Sequence, residues 1–229
     1  MRGAKAFTLV ELLVTISIIG LIAGLSIPTI GAARASAAKG KDLSNVKQIA
    51  ACILAYTTET GGVLPTVYRG CKMPSFKPST NYISTLLITN GYAPAGDAMW
   101  KAPMESTNYK PSATNNGVAY CLFSESWSEP AEFFGDPVTA TGSRPGKAVN
   151  ALIGNTSNNP VGLSKLCMLA VADGENYGTA RTGTSSGFPN SARSPTGGRA
   201  YAFFDGHAEF FKRTTPSTYP SSGRPGRWD

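Results

Sequence analysis

Histidine is almost missing from this 229-residue chain, which has a single imidazole at His207. A metal centre built from several histidines is thereby excluded, and a serine-type triad would hang on His207 alone. The four cysteines, Cys52, Cys71, Cys121 and Cys167, show no C-x-x-C spacing, so the usual zinc-ribbon pattern is absent too. Charge is sparse, at 15% of residues, and the basic side chains (Arg69, Lys72, Lys77, Lys101, Arg144, Lys147 and others) are scattered. That pattern lacks the clustering of a nucleic-acid stripe, and no nucleic-acid partner is expected. Gly183-Thr184-Ser185-Ser186-Gly187 matches a nucleophile motif in letters only. The motif needs a strand before it and a helix after it, whereas this stretch is a Thr/Ser/Gly-rich loop. No catalytic residue is assigned, and the chain is not read as an enzyme. From Gly117 onward there is no second apolar span, no repeat and no heptad.

What the chain does have is one long apolar run, Phe7–Ile27 (FTLVELLVTISIIGLIAGLSI), behind a six-residue basic leader. As a helix at about 1.5 Å per residue it reaches about 31 Å, one hydrocarbon core. No charge occurs between Leu12 and Ala33, so Glu11 is the one carboxylate in the run. An ionisable residue in a span is costly and marks a functional position. Arg2 and Lys5 orient the chain by the positive-inside rule, leader cytoplasmic and everything after Pro28 outside.

The segment Lys5-Ala6-Phe7-Thr8-Leu9-Val10-Glu11-Leu12-Leu13-Val14 resembles the class III signal of type IV prepilins and type II secretion pseudopilins. The resemblance implies cleavage between Ala6 and Phe7 by a prepilin peptidase, followed by N-methylation of Phe7. Ala6 stands where the family usually has glycine. Pro28 falls where many family members kink the helix. The resemblance also implies that the new Phe7 amine of one subunit pairs with Glu11 of its neighbour. Pairing makes a desolvated carboxylate tolerable and sets register more than it adds stability. Such a contact is heterologous and generates filaments rather than closed rings. Two plainer readings stay open at this point. One is a secretory signal peptide cut near Ala35-Ser36-Ala37, and the other is a simple anchor with Glu11 snorkelling to the headgroups.

Helical spacing continues past Pro28 through Leu43, Val46, Ile49, Ala50, Ile53 and Leu54, with Lys39, Lys41, Asp42, Lys47 and Gln48 at expected solvated positions. Gly61-Gly62 and Pro65 make the stop. The expected organisation is a leader at 1–6, a transmembrane or filament-core helix at 7–28, the second half of the stalk at 29–62, and a head with its tail at 63–229. Expected strands are Val118–Phe123, Leu166–Ala172, Arg199–Phe204 and His207–Lys212, the last two flanking the hairpin signal Asp205-Gly206. Tyr201 and Phe203 share one face there and Ala202 and Phe204 the other, with the aromatics expected to pack the sheet on the long helix. A short helix is expected in Tyr82–Tyr92, ending at Gly91. The fold class is α+β, a long stalk helix packed on a loop-rich antiparallel head.

The hairpin Ala200–Phe211 (AYAFFDGHAEFF) also resembles a carboxy-terminal element of prepilin-like proteins, with Leu169–Glu175 resembling the strand before it. The family histidine ten residues before the aspartate is here Pro195, so the match is to fold and not to a site. The cysteines lie beyond the membrane, where disulfides persist. Four allow three pairings; Cys52–Cys71 and Cys121–Cys167 are favoured, with buried free thiols as the other reading. No cofactor is expected, apart from a weak calcium candidate at Asp173 and Glu175, because some major pseudopilins bind calcium in loops of the head. The net charge of +7 falls to +5 once Arg2 and Lys5 leave with the leader. The reading is a subunit of a pilus or pseudopilus. Its partners are its own copies, the prepilin peptidase, an inner-membrane assembly platform and lipid. It sits first in the bacterial inner membrane and then in a periplasmic or extracellular filament. The alternative is a membrane-tethered binding or adhesion module that does not polymerise.

Overall fold

The computed structural model describes residues 7–68, 70–72, 74–75, 79, 81–101, 118–122, 133–135, 137, 143, 145–152, 162–172 and 198–212. The leader, Asp173, Glu175, Ser185 and Pro195 lie outside the described residues. The chain divides into two compact units, Met1–Ala37 and Ala38–Asp229. Its first element is helix α1, Leu9–Glu59, 51 residues long and helical through position 28. The end of α1 follows the expected glycine stop. Gly61 and Gly62 both adopt φ of +79°, and the Gly62 N–H donates to the Thr57 carbonyl at 2.8 Å.

In the second unit five strands form one antiparallel sheet in chain order: β1 (Gly70–Lys72), β2 (Val118–Leu122), β3 (Cys167–Val171), β4 (Gly198–Phe203) and β5 (Ala208–Lys212). Two short helices, α2 (Ile83–Thr89) and α3 (Val149–Leu152), complete the described elements with a single 3-10 turn at Leu163–Lys165. Four strands fall where the sequence places them to within a residue or two. Strand β1 was not expected, since three residues carry no alternation. The β4–β5 turn uses Gly206 at φ +88°, with the Gly206 N–H donating to the Phe203 carbonyl (3.0 Å) and the Phe203 N–H to the His207 carbonyl (2.9 Å). That is a three-residue loop with glycine in the left-handed position.

The three central strands are buried on both faces. Val46, Ile49, Ala50 and Ile53 of α1 share one core with Tyr120, Leu122, Leu169, Val171, Ala200, Ala202 and Phe204. Val118, Cys121, Cys167, Ala170, Ala172, Tyr201 and Phe203 form a second cluster, with Phe211 against it. The alternation along β4 is as expected, but the packing assignment is corrected. Tyr201 and Phe203 belong to the second cluster, and it is Ala200, Ala202 and Phe204 that share a core with the helix. Small side chains on that face leave room for Ile49 and Ile53, each fully buried and each contributing about 1.5–3 kcal/mol of apolar burial. Asp42 is a second correction. It is 3% exposed rather than solvated, because Tyr120 of β2 offers its hydroxyl there, 78 residues away in the chain.

Neither expected disulfide is formed, and Cys52, Cys71, Cys121 and Cys167 are all thiols. Cys121 lies opposite Ala170, three residues along β3 from Cys167. That offset is about 10 Å along a strand, beyond the roughly 7 Å that a disulfide spans. Burial pushes the Cys71 and Cys167 thiols well above the ordinary thiol range, with the neighbouring Cys121 adding to the effect, so both are held neutral.

Beneath the end of α1, three chain segments are laced together by main-chain bonds. Leu64 N–H donates to Lys147 O, Lys147 N–H to Phe133 O, and Gly135 N–H to Pro65 O, at 2.9, 2.9 and 3.0 Å. Gly146 sits inside this lacing, where a Cβ would lie 1.9 Å from the Leu64 carbonyl oxygen. Backbone cannot yield cheaply. Gly146→Ala is expected to destabilise the protein by about 1–3 kcal/mol or more, about 2–4 °C of melting temperature per kcal/mol. Gly162→Ala, whose Cβ would meet only Ser164 Oγ at 3.7 Å, should leave the midpoint unchanged. Thermal melts of the two variants side by side check this.

Candidate functional site

From Leu9 onward the amino-terminal unit is helical, and its large apolar side chains are exposed. Phe7 is 73% exposed, Leu9 81%, Leu21 67% and Ile27 71%. This helix is long and apolar enough to cross a membrane. In its apolar half four hydroxyls bond back to carbonyls of the helix itself. Thr15 Oγ1 donates to Leu12 O, Ser17 Oγ to Leu13 O, Ser26 Oγ to Ile22 O and Thr29 Oγ1 to Ser26 O, each at 2.8 Å. Such back-bonding lets hydroxyls sit in hydrocarbon at little cost, since water is not there to solvate them.

Glu11 occupies the first turn, and the structure gives it a partner that the sequence reading missed. Thr8 N–H and Thr8 Oγ1 both donate to Glu11 Oε2 at 2.9 Å, while Glu11 N–H donates to Thr8 Oγ1 at 3.2 Å. Thr8 is thus the N-cap and Glu11 the third helical residue of a capping box. The letters Thr-x-x-Glu before an apolar run are the signature of that motif and were legible. In a low-dielectric setting the box does two things. It satisfies main-chain donors at the helix end, and it fixes the carboxylate beside Phe7, the residue that begins the chain if the leader is removed.

Residues 1–27 match the family model for the prokaryotic N-terminal methylation motif. The chain carries a prepilin-type amino terminus. The motif is that of type IV prepilin- and pseudopilin-like subunits processed by a dedicated peptidase, and the α+β order of a long amino-terminal helix and an antiparallel sheet has a pilin-like layout. No curated protein and no solved structure matches this prepilin-like chain.

The remaining candidates, among the described residues, do not assemble into a site. Among the described residues no group of three or more His, Cys, Asp or Glu side chains gathers to hold a metal. His207 hydrogen-bonds Asp205 and stacks on Phe203, ring centroids 4.2 Å apart and planes 4° from parallel. Its surroundings are those of a turn residue capping the second cluster. The four thiols are distributed over α1, β1, β2 and β3.

Removing the cap should act on the first turn. Thr8→Ala is expected to speed amide exchange at residues 9–12 by roughly tenfold, leaving exchange in the sheet unchanged. Hydrogen-exchange mass spectrometry of the full chain in detergent reads both regions at once.

Proposed function

We propose that this prepilin-like chain is a structural subunit of a pilus or pseudopilus filament, of a type IV pilus or type II secretion-like system. The single observation that carries the reading is the uncovered apolar helix with one carboxylate fixed at its start, inside the matched motif. Cleavage between Ala6 and Phe7 creates an amine next to the Thr8–Glu11 box, and N-methylation keeps that amine cationic. The two Thr8 bonds converge on Oε2 of Glu11. The carboxylate therefore keeps acceptor capacity for the Phe7 amine of a neighbouring subunit.

The work is mechanical. The processed subunit waits in the inner membrane with the peptide after Pro28 outside. An assembly platform then draws it into a growing fibre, where apolar helices exchange lipid contacts for one another. Pro28 lies at the outer end of the span, where a missing main-chain donor lets the helix bend.

The decisive measurement is the mass and amino-terminal sequence of the mature protein. A methylated phenylalanine start at Phe7 is expected; a start at Ala38 means signal peptidase, and an uncut start means a plain anchor. Glu11→Ala should abolish filament assembly while membrane insertion persists, scored by shearing and fractionation. Normal filaments from that variant would sink the pairing of Glu11 with Phe7.

A further inference from the structure

Inside the second unit, where α1 meets β2, lies a polar cluster that the amino-terminal reading does not use. Asp42 is 3% exposed, and Asn45, Trp100 and Tyr120 are 0% exposed. The Tyr120 hydroxyl donates to Asp42 Oδ1 at 3.1 Å. Asn45 Nδ2 donates twice, to Tyr120 Oη at 3.0 Å and to the Lys101 carbonyl at 3.1 Å. Those two bonds fix which way the carboxamide faces. A carbonyl can only accept, so turning the amide over would set Asn45 Oδ1 against Lys101 O.

Asn45 Oδ1 is thereby left as an acceptor with nothing to accept. Among the described residues, the buried side-chain polar atoms without a hydrogen-bond partner are this oxygen and Trp100 Nε1. One is an acceptor and the other a donor. Trp100 precedes Lys101, whose carbonyl Asn45 already holds, so one hydrogen-bonded peptide joins the two residues that carry the orphans. Folded proteins rarely leave buried polar groups unpaired, because each forfeits its hydration without return.

We infer that the cluster holds one internal water molecule, which donates to Asn45 Oδ1 and accepts from Trp100 Nε1–H. The chemistry selects water over an ion. A cation would suit the oxygen and be repelled by the indole N–H, while an anion would suit the indole and be repelled by Asn45 Oδ1 and Asp42. Water is the small species that does both, and the Asp42 carboxylate and Tyr120 hydroxyl lie in the same cluster to take its second proton. The site completes a hydrogen-bonded latch between α1 and β2, and fixes the register of the helix where apolar packing alone allows sliding.

The test is NMR of the full chain in detergent with ¹⁵N-tryptophan labelling. There are three tryptophans, and the Trp100 indole proton is identified by its loss in Trp100→Phe. A dipolar cross-peak between this proton and a long-lived water, told from chemical exchange by its sign in a rotating-frame experiment, is expected. A Trp100 indole proton that is protected from exchange and shows no such cross-peak overturns the inference. In Asn45→Leu the cross-peak should disappear, and its persistence there would overturn Asn45 as the water's partner. The wild-type measurement decides the matter even if that variant does not fold.

Discussion

Folding leaves the apolar surface between Phe7 and Ile30 uncovered, and the rest of the amino-terminal unit is arranged around that constraint. Such a surface is stable only in lipid or against other apolar helices. Main-chain groups in that setting must be paired within the helix, which is why an uninterrupted α-helix forms and why its hydroxyls bond back to their own carbonyls. The first turn is the one place where main-chain N–H groups remain, and there Thr8 and Glu11 close the capping box. The same carboxylate that marks the prepilin-type motif thus has a local structural duty. Helix capping and the proposed subunit pairing draw on one group.

The second unit solves a different problem. The three central strands β2, β3 and β4 are buried on both faces, so each must supply apolar side chains in both directions. The alanines and Phe204 of β4 serve the core shared with α1, while Tyr201 and Phe203 serve the other cluster. Helix and sheet share more than apolar burial, since Asp42 and Asn45 bring hydrogen-bonding groups into the core. Buried polar groups add little net stability but penalise wrong alignments heavily, because a shifted helix would leave each of them unpaired. The apolar residues hold α1 in place, and the polar ones decide where.

Much of this was legible because the signals are local. The apolar run, the Gly61-Gly62 stop, the Asp205-Gly206 turn and the period-2 pattern of β3 and β4 depend on residues a few positions apart. The capping box is equally local, since its Thr-x-x-Glu letters stand at the start of the apolar run. Strand β1 escaped because Gly70-Cys71-Lys72 has no pattern of its own and exists only by pairing with β2. An even cysteine number says nothing of the three-residue offset that separates Cys121 from Cys167.

By itself, then, the sequence determined the long helix, its apolar amino-terminal half, the processing motif and the positions of β2 to β5. Those properties follow from periodicity, length and turn chemistry over short stretches of chain. Only the tertiary structure decided that Asp42 is buried, that alanines rather than Tyr201 and Phe203 share a core with the helix, and that the cysteines stay as thiols. Each of those depends on a partner brought from far away in the chain, as Tyr120 is to Asn45 across 75 residues. No local pattern carries that information, because the fold alone sets those side chains side by side.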